Sequence, residues 1–338
     1  MQISYCQWFK HLSAPLLCLQ LASCSGGWHK NLLTPKQSLG SSDLASPDAP
    51  SSWINPAINP TQTPDSLEHR WIVSGAEAKQ LIEQGATLLD ARGQGLIVRR
   101  LQGATAVSWQ QFSPKQAAIR GTLLNDDEQL TQQLQALGIS TQTPVVVFAN
   151  PPNGWGEDGR IVWMLRTLGH RRAVMVDGGF QALVNAQVPL QQGVSTVPEA
   201  GDFVVRRTPD WDIQQAELRA QLRADNLVII DTREPREFAG RTPYGEQRGG
   251  HVPGAINLYF KDFLNKEGTL LPHQTLLTKL SEVGITPDTQ VVVYCTGGIR
   301  SGWLASVLAT LGFSVKNYAG SMWEWSAAPD PEYPLETQ

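Results

Sequence analysis

Val291-Val292-Val293-Tyr294-Cys295-Thr296-Gly297-Gly298-Ile299-Arg300-Ser301 is the stretch whose reading decides the fold. Three β-branched residues and an aromatic in succession are the pattern of a parallel strand covered on both faces. From Gly302 onward Trp303, Leu304, Val307, Leu308 and Leu311 fall at helical spacing, so Cys295 to Arg300 must turn the chain between strand end and helix start. Two adjacent glycines let successive amides curl into a nest at the partly positive helix N-terminus, where an anion is stabilised. A cysteine heading such a loop is expected to have a depressed pKa and to be a nucleophilic thiolate at neutral pH. An inert cysteine buried at a strand end is the plainer alternative, and the Cys-x-Gly-Gly-x-Arg pattern weighs against it.

Three further stretches surround this loop in a fixed order. Asp231-Thr232-Arg233-Glu234-Pro235-Arg236-Glu237-Phe238 follows a strand, then comes Gly250-His251-Val252-Pro253-Gly254-Ala255-Ile256-Asn257, and after the cysteine loop Gly320-Ser321-Met322-Trp323-Glu324-Trp325. Together with the loop they resemble the signatures of the rhodaneses, sulfurtransferases that occur as tandem-domain chains with a catalytic C-terminal half, over about Trp71 to the C-terminus. The resemblance implies an α/β fold of two tandem rhodanese-like domains, each a mostly parallel sheet flanked by helices. It implies Cys295 as the residue that carries sulfur, held by the loop Thr296, Gly297, Gly298, Ile299 and Arg300. An arginine near Arg236 would grip the anionic end of the substrate, with Arg241 and Arg248 close enough to compete. Arg suits this because its planar fork can hold two oxygens of a sulfonate or carboxylate. In the thiosulfate and mercaptopyruvate members the loop carries other residues where Arg300 stands, so the donor stays open.

The chain also repeats itself. Leu130–Ser140 parallels Leu276–Thr286, Val145–Asn150 parallels Val291–Thr296, Leu88–Arg92 parallels Ile229–Arg233, and Asp177–Leu183 parallels Ala319–Trp325. Each half alternates short apolar strands with helical segments, as α/β domains do. The expected organisation is residues 1–23 as a leader, 24–69 as a tether, 70–190 as a first rhodanese-like domain without activity and 202–334 as the catalytic one, with a link near Val188–Gly201. The repeat acts as an internal control. Asp90 and Arg92 match Asp231 and Arg233, so the Asp-x-Arg pair reads chiefly as scaffolding, with Asp231 supporting the catalytic loop from behind. Ala149 stands where Cys295 stands, and its loop, Asn150–Gly159, is longer, with two prolines and two carboxylates, so no anion cradle is expected there. Arg160 could reach a cleft between the halves, a structural role being the plainer reading. His251 reads as scaffold, because a thiolate already formed needs no base.

The chain's 338 residues suffice for two domains of ordinary size, and the net charge of −4 without a dense basic stripe gives no footing for nucleic acid. Lys10 and His11 precede an apolar stretch, Leu12–Ala22, too short to span a bilayer and interrupted by Pro15. Leu21-Ala22-Ser23-Cys24 resembles the lipobox of bacterial lipoproteins, which implies lipidation of Cys24 and a body held on a membrane outside the cytoplasm. Residues 25–69, rich in Ser, Pro, Asn and Thr, read as a flexible tether. Of four cysteines, Cys6 and Cys18 would leave with the leader and Cys24 would be lipidated, leaving Cys295 as a lone thiol without a disulfide partner. No Cys/His cluster has zinc spacing, and no cofactor is expected.

The expected chemistry is sulfur transfer from a small anionic donor of the thiosulfate type to a thiol or cyanide acceptor through a Cys295 persulfide. Two alternatives stand beside it. A cysteine phosphatase or arsenate reductase also heads an anion loop with a thiolate, but such loops have five residues between Cys and Arg, against four here. A non-turnover persulfide carrier would present the same loop to a partner.

Overall fold

The computed structural model describes residues 67–93, 99–191 and 198–337, all within one compact unit, Pro50–Gln338. The leader, Cys24 and most of the expected tether lie outside the described residues. The first half runs β1 (Ile72–Val73), α1 (Gly75–Glu83), β2 (Thr87–Asp90), β3 (Arg100–Leu101), β4 (Thr105–Ala106), α2 (Asp127–Ala136), β5 (Val145–Phe148), α3 (Glu157–Thr167), β6 (Ala173–Val176), α4 (Gly179–Asn185) and β7 (Leu190–Gln191). The second runs α5 (Gln215–Gln221), β8 (Leu227–Asp231), α6 (Pro235–Phe238), β9 (Ile256–Asn257), α7 (His273–Glu282), β10 (Gln290–Tyr294), α8 (Ile299–Thr310), β11 (Ser314–Asn317) and α9 (Ser321–Trp325).

The sequence repeat reappears as topology. One sheet has the order β1-β6-β5-β2-β4 and the other β11-β10-β8-β9, with every pairing inside them parallel. A parallel bridge between Asp212 and Asn317 stands in the second half where β1 stands in the first. The fold is therefore α/β, with mostly parallel sheets flanked by helices, as expected. Val291, Val292, Val293 and Tyr294 are all fully buried, which is what a continuous apolar run requires of a central parallel strand. Tyr294 pairs with Asp231 in register, so Cys295 emerges at the carboxyl edge of the sheet, where open α/β sheets build their sites.

The two sheets share one core through α3 and α8. Residues 158–167 of α3 and 300–309 of α8 are buried all round, the mark of helices enclosed by protein. Glycines allow the close approach: a Cβ on Gly159 would stand 2.4 Å from Trp303 Cα, and one on Gly302 3.1 Å from Arg160 Cα. The Ser306 hydroxyl closes the crossing by donating to the Gly159 carbonyl at 3.2 Å. Residues 201–208 run as a strap along the first half, with Gly201, Phe203, Arg206 and Thr208 amides donating to Gln135, Ile139, Leu168 and Thr167 carbonyls. The chain thus stays bonded to the first half well past Gly201 and enters the second sheet only at Asp212.

Candidate active site

The loop between β10 and α8 is an anion nest closed around one sulfur. Gly298 adopts φ 81, a left-handed conformation that glycine takes without strain, and its amide donates to Cys295 Sγ at 3.1 Å. The Ser301 hydroxyl lies 3.6 Å from the same sulfur, and the Ser301 and Gly297 amides also act on it. Glycine at 297 is fixed by packing instead, because a Cβ there would come within 2.0 Å of the Trp323 ring. The Gly320–Trp325 signature holds the loop from beneath. Met322 and Trp323 amides donate to the Cys295 and Thr296 carbonyls at 3.1 and 2.9 Å, and the Cys295 amide donates to Ser321 Oγ at 3.1 Å.

Cys295 is 1% exposed. Burial alone pushes its thiol up, but the Arg300 charge, the Ser301 amide and hydroxyl and the Gly297 amide outweigh it and hold the pKa below the ordinary 9.0. The depressed pKa expected from the loop pattern has its physical cause in this geometry.

Arg300 sits in the first turn of α8 and is buried. Its two terminal nitrogens donate to the Glu237 carboxylate at 2.6 and 2.8 Å, and Nη2 also donates to Thr296 Oγ1 at 2.6 Å. The Thr296 hydroxyl in turn donates to Glu237 Oε1 at 2.9 Å, with Glu246 Oε1 3.3 Å away. Burial pushes the Glu237 carboxyl up, yet the bonds and charge of Arg300 bring it below its ordinary value. Arg300 therefore acts on the thiolate through its charge while both arms of its fork are taken. Glu237 and Glu246 are the site residues that the sequence reading missed. Glu237 had a signal: it lies beside Arg236 within a signature motif and has no acidic counterpart at Leu96 of the repeat.

The other arginines divide by partner. Arg236, on the one-turn helix α6, is 59% exposed and paired with Glu234; from the same turn it is Glu237 that faces the cysteine loop. Arg241 is exposed. Arg248 is turned to the C-terminal segment, where it bonds the Ser326, Trp325, Ala328 and Tyr333 carbonyls and pairs with Asp330. Asp231 is enclosed, and its carboxylate accepts three bonds from Arg233 side-chain nitrogens and one from the Arg233 amide. Arg92 grips Asp90 in the same way, so the pair is scaffolding in both halves. His251 is scaffold too: its ring stacks on Phe238 and Nδ1 lies 3.0 Å from the Phe238 carbonyl.

The first half contributes to the site from above and behind. Arg160 is buried, donates to the Gly121 carbonyl at 2.7 Å and reaches the Gly298 carbonyl at 3.4 Å. Burial lowers its pKa to about 10, against the opposing charges of Asp212 and Cys295. Gly121 packs on the loop so tightly that a Cβ would lie 3.0 Å from Gly297 Cα. Trp155 and Tyr244 meet edge to face at 5.4 Å, with the Arg300 guanidinium 5.0 Å from the Trp155 ring centre.

A buried cysteine at the carboxyl edge of a parallel sheet, its sulfur ringed by amides and one captive arginine, is the arrangement of a cysteine-nucleophile enzyme. The comparisons with known proteins agree. The family model described as rhodanese-like domain matches residues 214–328. The chain is 31% identical over 204 residues to the thiosulfate sulfurtransferase of Azotobacter vinelandii, covering 60% of this chain and 74% of the relative. It is 32% identical over 217 residues to the probable 3-mercaptopyruvate sulfurtransferase of Pseudomonas aeruginosa, covering 63% and 75%. The crystal structure of YnjE superposes with a TM-score of 0.69 at 20% identity, covering 79% of this chain and 68% of that one, a likeness of fold. The chain belongs to the rhodanese family, and it is a rhodanese-type sulfurtransferase.

Proposed function

We propose that the protein moves a sulfane sulfur from a thiosulfate-type donor to a thiophilic acceptor through a Cys295 persulfide, as a tandem rhodanese whose first domain is inactive. The Cys295 lone pair forms a bond to the donor's outer sulfur, and the donor's S–S bond breaks with its electron pair leaving on sulfite. Cyanide or a thiolate then takes the outer sulfur and returns the thiolate, so no external oxidant or reductant is needed. The observation that carries this reading is the convergence of the Gly298 amide, the Ser301 hydroxyl and the Arg300 charge on Sγ, which favours both a thiolate and a persulfide anion.

The phosphatase alternative loses support from the same geometry. A phosphate cradle needs a free bidentate guanidinium, and Arg300 gives that face to Glu237. Arg236, exposed and balanced by Glu234, is read as a guide at the rim, and Thr296 and Ile299 as loop framework. The location outside the cytoplasm and the lipid on Cys24 rest on the leader pattern alone.

The test is intact mass after incubation of the reduced protein with thiosulfate, beside a Cys295→Ser variant. A gain of one sulfur atom, removed by cyanide and absent from the variant, is expected. No gain would remove thiosulfate as the donor, and a gain without turnover on small acceptors would favour the carrier reading.

A further inference from the structure

The mechanism needs a cation for the donor's anionic end, and the arginines already described are occupied, except for Arg241, which is exposed at the surface. Arg300 is held by Glu237 and Thr296, Arg248 by four carbonyls and Asp330, Arg160 by carbonyls behind the loop, and Arg236 by Glu234. Arg120, in the first half, differs. Its guanidinium lies over the Trp323 ring, 3.7 Å from the centroid, and Trp323 is the ring that covers Gly297. Nη2 donates to a single neutral acceptor, the Tyr244 carbonyl, at 3.0 Å. Nε is buried with no hydrogen-bond partner, as is that of Arg160, whose terminal nitrogens are committed to the Gly121 and Gly298 carbonyls behind the loop. The next residue, Gly121, is the one that touches Gly297.

We propose that Arg120, supplied by the half that lacks a nucleophile, binds the sulfonate or carboxylate of the donor while Cys295 attacks its sulfur. This rests on the persulfide reading above and adds a specificity-determining residue to it. A buried Nε without an acceptor is costly in a finished structure. An anion that reaches the fork satisfies it and replaces a neutral carbonyl with a charge-assisted bond, roughly twice as strong. The Trp323 face holds the guanidinium plane in one orientation, so its two parallel N–H groups are preorganised for two oxygens. The class of donor that fits is a small molecule with an anionic group adjacent to the transferable sulfur.

The test compares alkylation of Cys295 in the native protein by iodoacetate, which is anionic, with that by its neutral counterpart iodoacetamide. In Arg120→Gln the ratio of the two rates is expected to fall roughly tenfold relative to wild type, while Arg120→Lys keeps most of it. Thiosulfate KM should rise by a similar factor in Arg120→Gln, with a smaller change in kcat. If Arg120 only latches the two halves together, its loss changes both alkylation rates alike, and an unmoved ratio overturns the proposal. Labelling by both reagents with an unmoved ratio leaves the nucleophile in place and removes Arg120 alone. Failure of both reagents to label Cys295 in wild type overturns the persulfide reading and this proposal with it.

Discussion

The two halves share a sheet order, an Asp-x-Arg corner and a strand that ends on a helix-capping loop, yet opposite things fill the two loops. In the second half the amides of Gly297, Gly298 and Ser301 face the Cys295 sulfur. In the first half β5 ends at Phe148 and Ala149 follows it, and Asp158 places its own carboxyl among the amides of Ala149, Asp158 and Gly159, the last at 2.9 Å. The fold builds an amide cluster at both strand ends. One is left for a thiolate, and the other is plugged by a side chain from within. An arginine is used oppositely as well: Arg300 lends its charge to the thiolate, whereas Arg160 leaves its own loop and braces the partner loop through Gly298.

The largest effect should come from moving the nucleophile across this comparison. Cys295→Ala is expected to abolish sulfur loading, and adding Ala149→Cys to it should restore none, since the introduced thiol would meet the Asp158 carboxyl with Arg160 turned away. Mass after thiosulfate treatment decides this; cyanide-removable sulfur on the introduced thiol would mean that the halves are chemically equivalent.

Next in size is the captive arginine. Arg300→Met leaves Glu237 buried without its cation, which should cost about 3–5 kcal/mol in denaturant unfolding. It should also raise the Cys295 pKa, so that the rate of iodoacetamide labelling rises with pH over a higher range than in wild type. The double variant Arg300→Met/Glu237→Leu is expected to recover much of the stability and none of the thiol reactivity. Recovery of both would mean that the amides alone hold the thiolate. The helix crossing comes third. Gly159→Ala forces a methyl to 2.4 Å from Trp303 Cα and should lower stability by about 1–3 kcal/mol, with a smaller loss for Gly302→Ala, read by the same unfolding curves.

Much of this was legible in the sequence because buried parallel strands read as unbroken apolar runs and because the repeat set a register between halves. Val291–Tyr294 announced β10, and the matched segments anticipated the matching sheet orders. Facing was not legible on short elements. A four-residue helix such as Pro235–Phe238 shows no period, so nothing in the order Arg236-Glu237 tells which side chain turns inward. Contacts between distant segments carry no motif either: Arg120 meets the Tyr244 carbonyl across 124 positions, and the cover over the catalytic loop exists only once α3 and α8 have crossed. The link near Val188–Gly201 looked like a boundary from its Pro and Gly content, while the hydrogen bonds that tie residues 201–208 to the first half are made by backbone atoms, to which composition is blind.

The smallest effect separates the two loops by pH. Burial, with the adjacent Glu157 charge, pushes Asp158 from its ordinary 3.8 up to about 7, against the amide bonds that oppose it. The folded protein therefore keeps a proton on Asp158 between about 4 and 7 where the unfolded chain has lost it, and stability should fall as pH rises through that window. Glu237 runs the other way. Its folded pKa is depressed, so its contribution is complete above the ordinary 4.5 and is lost as pH falls through the folded value. Asp158→Asn retains a side-chain oxygen for the amides and removes one titration, so the downward slope between about 4 and 7 should become shallower, keeping the share of Asp212, which burial also pushes up to about 7, while loss at acid pH remains. Arg300→Met should instead reverse the Glu237 contribution, because burial then pushes its carboxyl up without that cation to oppose it, so the acid-side loss weakens and the downward slope above the ordinary 4.5 steepens. Urea unfolding at a series of pH values measures both; an unchanged neutral slope in Asp158→Asn would mean that the first loop holds a carboxylate, an anion site occupied by its own side chain.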